Sequence, residues 1–176
     1  MRIFLSIILI ILSVSTNFGQ RLSKETVINV YTDIINAIGN NSPRAPRLDF
    51  KNSERNPASF NPFKKEIILE YKVLEICSSF GADSLNALSY ILAHELAHSY
   101  CRHGWQTQFA SIDFSNQIDK NVEAFEKRID NETQADIYAA FFSHIAGYQA
   151  LDVAPKFLEK IYSEYQLPDS IPGYPS

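Results

Sequence analysis

The chain has 176 residues, and its 16 Lys and Arg against 20 Asp and Glu give a formal net charge of −4. This mild acidity, without any block of basic residues, argues against binding to nucleic acid or to an anionic membrane. The sequence contains no internal repeat and no low-complexity tract, so its length suits one domain around a single hydrophobic core.

The first residues have the pattern of a signal peptide. Arg2 precedes an almost unbroken apolar run over residues 3–12, and cleavage is predicted after Ser15 or after Gly19. A membrane-spanning helix needs roughly 20 apolar residues, so this run is short for a membrane anchor. We therefore expect residues 1–19 to be a signal peptide and the protein to be exported, either to a periplasm or out of the cell. An uncleaved N-terminal membrane anchor is the alternative.

Residues 20–176 are predicted to form one α+β domain that is mostly helical. Apolar residues at helical spacing predict the helices, and prolines and polar runs predict the loops. The predicted elements, in chain order, are a helix over 23–38, a loop over 40–47, a short strand over 48–50, a loop over 56–62, a strand over 66–70, a helix over 71–80, a helix that starts at Asp83 or Ser84 and ends before Gly104, a flap or ordinary surface loop over 105–119, a segment over 122–129 that leads into a further helix, and a last helix over 154–165. No segment after residue 20 is long and apolar enough to be a transmembrane helix.

The pentapeptide His-Glu-Leu-Ala-His at 94–98 has the spacing of a metal site on a helix. Residues four apart share one helix face, so His94 and His98 can converge on a zinc ion. Glu95 projects about 100° further round the helix, close enough to act on a water bound to that metal. The alternative is a pair of core histidines without metal, but apolar residues surround the motif and unpaired buried imidazoles are unfavourable.

A second motif supplies two carboxylates on one helix face. Glu132 and Asp136 are four residues apart, so Glu132 can serve as the third zinc ligand while Asp136 accepts the N–H of a liganding histidine. Two histidines and one glutamate leave the fourth tetrahedral position for water, which is the arrangement of catalytic zinc sites. The alternative is a solvated helix face on which both acids pair with Lys127 or Arg128.

Together the two motifs resemble the gluzincin metallopeptidases, in which H-E-x-x-H is followed by E-x-x-x-D. The more similar branch contains the CAAX prenyl endopeptidases and the heat-shock membrane proteases, whose second motif reads E-x-x-A-D, as residues 132–136 do here. The stretch LAHELAHSYCRHG at 92–104 and the Ala-Gly-Tyr at 146–148 are also similar to those enzymes. The resemblance covers about residues 66–165.

This resemblance implies a zincin-like single domain. Its parts are an active-site helix with the H-E-x-x-H motif, a small sheet whose edge strand pairs with extended substrate, and a second helix that carries the two acids. It implies one zinc ion held by His94, His98 and Glu132. Glu95 is then the general base, and Asp136 accepts a hydrogen bond from a liganding histidine.

The chain also departs from the family. The membrane-embedded relatives have several transmembrane helices, and this sequence resembles a soluble, minimal relative. The resemblance does not extend to the Arg-containing tail of the family, which leaves the residue that stabilises the oxyanion open. His103, His144 and Tyr148 are weak candidates, because a helix-end or ordinary surface role explains both histidines as well.

The expected function is that of an exported zinc metalloendopeptidase that hydrolyses peptide bonds of a peptide or protein substrate with zinc-activated water. The first alternative is a non-catalytic or latent zinc-stabilised domain that binds a partner. A cytoplasmic regulatory protease of the antitoxin type is a second, and the apolar N-terminus opposes it. Nothing in the sequence indicates the substrate or the oligomeric state.

Cys77 and Cys101 leave one further question open. An exported chain with two cysteines permits a disulfide between them, but both lie in apolar helical contexts where free cysteines are common. Cys101 as a zinc ligand is disfavoured because Glu132 is better placed.

Overall fold

The computed structural model describes residues 22–39, 45–53, 55–101, 107–108 and 121–167, and for 107–108 and 121–129 it describes the main chain only. The predicted signal peptide, His103 and all of the predicted flap except 107–108 lie outside the described residues. Within the described ranges, no helix combines the length and the apolar character that crossing a membrane requires.

Helices dominate the described part of the chain and accompany one small sheet, so the predicted α+β, mostly helical class is confirmed. The helices are α1 (Lys24–Ala37), α2 (Tyr71–Ser78), α3 (Ser84–Tyr100), α4 (Asn121–Ile145) and α5 (Ala150–Glu164), and the strands are β1 (Arg47–Lys51), β2 (Ala58–Asn61), β3 (Glu66–Glu70) and β4 (Thr107–Gln108). A short 3₁₀ turn, Gly81–Asp83, precedes α3.

Helix α1 forms where the apolar spacing predicted it. Ser23 caps its start, because the hydroxyl accepts the main-chain N–H of Thr26 at 3.0 Å. Its buried side chains recur every three or four residues and face the core: Val27, Val30, Tyr31 and Ile34. Gly39 follows the helix at a φ of +71°, a conformation that glycine adopts without strain.

The sheet has the strand order β1-β3-β2-β4. Strand β1 runs parallel to β3, whereas β2 is antiparallel to both β3 and β4. A tight turn joins β2 to β3, in which the Asn61 side chain accepts the main-chain N–H groups of Phe63 and Lys64. The predicted strand over 66–70 is therefore an internal strand and not a sheet edge.

The loop predicted over 56–62 is wrong at residues 58–61, which form strand β2. Its alternating burial turns Ala58 and Phe60 into the core and Ser59 and Asn61 outward. Pro57 and Pro62 had indicated a loop, but the two prolines lie just outside the strand and remove no donor from its hydrogen-bonding ladder.

Helix α3 runs through the middle of the domain and packs against the other helices and β2. Every side chain from Ala87 to His98 is buried, so the helix is enclosed on all sides rather than on one stripe. Helices α3 and α4 pack against each other, and the buried side chains of both include small ones: Ala93 and Ala97 on α3, Ala135 and Ala139 on α4. Small residues allow the backbones of two helices to approach closely.

Helix α5 starts one turn earlier than predicted. The sequence predicted a helix over 154–165, which would have had Pro155 in its first turn, where a missing N–H matters least. The observed helix begins at Ala150 and contains Pro155. Burial of Ala150 and Val153 stabilises the added turn.

The two cysteines are free. Cys77 is buried in α2, and Cys101 is half-buried at the end of α3. Burial raises the pKa of the Cys77 thiol well above its ordinary value, so this side chain behaves as a small apolar residue.

Candidate metal centre

His94 and His98 lie one turn apart on α3, and both are almost completely buried. Their Nε2 atoms converge to 3.1 Å, and the two rings meet edge to face. The histidine pair of the sequence motif therefore points at one place in the core, as the four-residue spacing predicted.

Helix α4 brings the third side chain to the same place. Glu132 is also buried, and its Oε2 lies 3.3 Å from Nε2 of His94 and 3.6 Å from Nε2 of His98. The ligand atoms of the three residues all lie within 4.8 Å of one another. Glu132 is thus part of an interhelix cluster and not of a solvated helix face.

The spacing of these atoms fits a metal ion. Zinc–ligand distances of about 2.0–2.1 Å and tetrahedral angles place ligand atoms about 3.3 Å apart. The observed separations of 3.1, 3.3 and 3.6 Å bracket this value. The buried group of His94, His98 and Glu132 could therefore hold a metal ion.

Asp136 fixes the orientation of His94. Its Oδ1 accepts a hydrogen bond from Nδ1 of His94 at 2.9 Å and another from the hydroxyl of Tyr90 at 2.8 Å. A proton on Nδ1 leaves the lone pair of Nε2 directed at His98 and Glu132, which is the tautomer a metal ligand needs. Asp136 thus lies where the sequence predicted it.

The electrostatics of the group favour a cation. Burial alone would lower the pKa of His94, but hydrogen bonds to Asp136 and Glu132 outweigh burial and raise the pKa to about 10. Burial alone would raise the pKa of Glu132, but hydrogen bonds and attraction from the two histidines hold this pKa below its ordinary value. The carboxylates therefore stabilise a positive charge between them, whether a proton or a metal ion carries it.

Glu95 is fully buried beside the cluster, and neither carboxylate oxygen has a hydrogen-bond partner of ordinary geometry among the described residues. Burial raises the pKa of Glu95 to about 8, and the neighbouring charge of Glu132 adds to this rise. Attraction from His94 and the main-chain N–H of Phe60 act in the opposite direction on the same pKa. A carboxylate whose pKa lies near neutrality is suited to accept and return a proton.

Comparisons with models of protein families, with curated proteins and with solved structures found no match. Any functional proposal for the chain therefore depends on its own residues and on their geometry.

Strand β2 packs beside α3, and the side of β2 that faces away from β3 is already paired. Ser59 and Phe60 pair with Gln108 and Thr107 of β4. The sheet edges in the described chain are thus β1 and β4, and the edge strand expected next to the active-site helix has a neighbour over these two residues.

Of the three candidates for oxyanion stabilisation, His103 lies outside the described residues, and the other two are occupied elsewhere or exposed. The hydroxyl of Tyr148 donates to Asp33 of α1 at 2.8 Å, and His144 is exposed on α4. Tyr162 of α5 was not predicted, yet it lies near the cluster. Its pKa is raised first by burial and then by the negative charges of Asp136 and Glu132.

Sequence reasoning also missed the hydroxyl of Tyr90 and the main chain of Phe60. For Tyr90 a signal existed, because it precedes His94 by four residues and therefore shares its helix face. For Phe60 no signal existed, since a main-chain group acts through the position of its strand and not through its side chain.

Proposed function

We propose that the chain is an exported zinc metalloendopeptidase with a zincin-like fold. In this proposal His94, His98 and Glu132 bind one zinc ion, Glu95 is the general base and Asp136 orients His94. The observation that carries it is the convergence of two Nε2 atoms and one carboxylate oxygen at mutual distances of 3.1–3.6 Å. The buried carboxylate of Glu95 lies beside them and has no hydrogen-bond partner of ordinary geometry among the described residues.

The donor set supports zinc as the metal. Imidazole and carboxylate ligands suit zinc, while magnesium and calcium prefer sites built from oxygen atoms alone. No fourth His, Cys, Asp or Glu joins the group within the described ranges, and Cys101 is not part of it. Three protein ligands leave one coordination position for water or substrate, which favours a catalytic over a structural site.

The side chains divide the work of hydrolysis between them. Bound zinc would supply a Lewis acid that polarises a carbonyl and lowers the pKa of water. Glu95 accepts the proton of the attacking water and then delivers it to the leaving amine. Both transfers require a group whose pKa lies near the working pH. Asp136 holds His94 in one tautomer throughout, because its Oδ1 keeps the proton of His94 on Nδ1.

Peptides are the proposed substrates because an extended backbone can add to a sheet. Main-chain hydrogen bonds bind peptides of many sequences, and the Phe60 N–H next to Glu95 places β2 beside the proposed base.

The pairing of β4 with Ser59 and Phe60 favours one competing function, a latent or non-catalytic zinc domain that binds a partner.

Incubation of the zinc-loaded protein with a mixed peptide library distinguishes these functions. We expect cleavage that stops on addition of a chelator and returns with zinc. The matched control is Glu95→Gln, which keeps the volume of the side chain and should bind zinc in equal amount while losing at least about 10²-fold in activity. Equal cleavage by Glu95→Gln and wild type would contradict the role of Glu95. Stoichiometric zinc without any cleavage would favour the partner-binding domain.

A further inference from the structure

One face of α3 carries three chemically active side chains in succession. Tyr90, His94 and His98 are spaced four residues apart, and each is almost completely buried. On α4, Glu132 and Asp136 have the same spacing and meet this face. The candidate metal group contains both histidines and Glu132. Tyr90 lies on the same helix face and has no role in this group.

Tyr90 and His94 share one acceptor atom. The Tyr90 hydroxyl donates to Oδ1 of Asp136 at 2.8 Å, and Nδ1 of His94 donates to the same oxygen at 2.9 Å. The Asp136 side chain is 33 % exposed, so protein does not enclose it on every side. A hydrogen bond from a fixed donor therefore holds this carboxylate in the rotamer that faces His94.

The Tyr90 ring is itself well fixed. It meets Phe157 of α5 edge to face at 6.3 Å between ring centroids, and its centroid lies 6.4 Å from that of His94. Burial and the adjacent charge of Asp136 raise the pKa of Tyr90 well above its ordinary value. The hydroxyl therefore keeps its proton at neutral pH and can donate to Asp136.

We propose that Tyr90 is a positioning residue for the metal centre, whose hydroxyl holds the Asp136 carboxylate against Nδ1 of His94. This inference rests on the proposed metal site and goes beyond it, because Tyr90 is not one of the proposed ligands and acts through Asp136. Its action is pre-organisation. Asp136 and His94 already have their binding geometry before the metal binds, so the entropy cost of ordering them on binding is smaller.

Zinc affinity of Tyr90→Phe, measured by competition with a chromophoric chelator, tests the inference. The substitution removes one oxygen and keeps the ring that packs on Phe157. We expect zinc to bind about three- to tenfold more weakly, which is less than the roughly 10–100-fold loss typical when a residue in direct contact with a ligand is removed. The same comparison with Co²⁺ provides a second readout through its ligand-field absorption.

Tyr31→Phe is the matched control. Tyr31 is also a buried tyrosine, and its hydroxyl donates to the main-chain oxygen of Pro46 at 2.6 Å, away from the metal group. We expect its zinc affinity to equal that of the wild type, even where the thermal unfolding temperature falls. Equal loss of affinity in both variants would attribute the effect to general destabilisation and would overturn the inference.

A double-substitution cycle tests whether Tyr90 acts through Asp136. In the Asp136→Ala background, Tyr90→Phe should change zinc affinity by less than about twofold, because the acceptor is already gone. An undiminished effect in that background, or wild-type affinity of Tyr90→Phe alone, would overturn the role of Tyr90 and leave the metal site intact. A wild-type chain that binds no zinc would instead overturn the proposed metal centre, and the role of Tyr90 with it.

Discussion

The Nε2 atoms of His94 and His98 lie 3.1 Å apart in a part of the core that excludes solvent. Two bare nitrogen lone pairs repel each other at this separation, so the pair is stable only with a proton or a cation to share. Glu132 adds a negative charge at 3.3 Å from the first and 3.6 Å from the second of these atoms. The three side chains therefore link the stability of the fold to what occupies the space between them.

Zinc is expected to stabilise the folded chain for this reason. At a free zinc concentration about 100-fold above the dissociation constant, the free energy of unfolding should rise by about 2.7 kcal/mol. For a domain of this size, the unfolding temperature should then rise by roughly 5–10 °C. Thermal unfolding with zinc, with a chelator and with zinc restored measures the shift. His98→Ala is the control that should show no shift, and identical midpoints for the wild type in all three conditions would contradict the expectation.

Removal of the Glu132 carboxylate should abolish tight metal binding. We expect Glu132→Ala to lose more than the roughly 10–100-fold that loss of an outer partner of a ligand causes, because a ligand itself is removed. Asp130→Ala is the matched control, since Asp130 is an exposed acid on the same helix. Metal content after dialysis against limiting zinc measures both. Undiminished zinc in Glu132→Ala would exclude Glu132 as a ligand.

Substitution of alanine for Ser143 and for Ser89 should change the free energy of unfolding in opposite directions. Both serines are fully buried, but Ser89 donates to the main-chain oxygen of Asn86 at 2.8 Å, whereas the Ser143 hydroxyl has no hydrogen-bond partner among the described residues. A buried hydroxyl without a partner destabilises a fold by about 1–3 kcal/mol. Ser143→Ala should therefore raise the free energy of unfolding by about 1 kcal/mol and Ser89→Ala should lower it by a similar amount. Urea denaturation at constant zinc measures both values, and a fall for Ser143→Ala would contradict the prediction.

The raised pKa of Tyr148 should make the fold less stable at alkaline pH. Burial, with the hydrogen bond and charge of Asp33, raises the pKa of Tyr148 to about 12. Because tyrosine in the unfolded chain has a pKa of about 10, the contribution of this group to stability is complete below pH 10 and is lost as the pH rises towards 12. Unfolding of Tyr148→Phe should thus depend less steeply on pH over this interval than unfolding of the wild type. Equal slopes for the two proteins would rule out a contribution from Tyr148.

The candidate site could be predicted from the sequence because helical spacing decides which side chains share a face. This reasoning placed His94 with His98 and Glu132 with Asp136, and the structure brings the two pairs together. It could not place Tyr90 against Asp136. That contact depends on how α3 and α4 pack, and helical spacing describes one helix at a time.

The sheet was harder to predict for a different reason. The four residues of β2 lie between two prolines, and so short a segment carries too few alternating positions to outweigh them. The pairing of β2 with β4 joins segments almost 50 residues apart in the chain. Neither the order of the strands nor the proximity of Phe60 to Glu95 has a local signal in the sequence.

The buried alanines of α4 place a constraint on how this protein can change. Ala135 and Ala139 are fully buried on α4, the helix of Glu132, and α4 packs against the helix that carries the histidines. A larger side chain at either position would push the helices apart, and the three metal-directed atoms would separate with them. Sites on loops can vary independently of the core beneath them, whereas here the same two helices supply both the core packing and the metal-directed side chains. Larger side chains should therefore be poorly tolerated at Ala135 and Ala139, two positions that have no chemistry of their own.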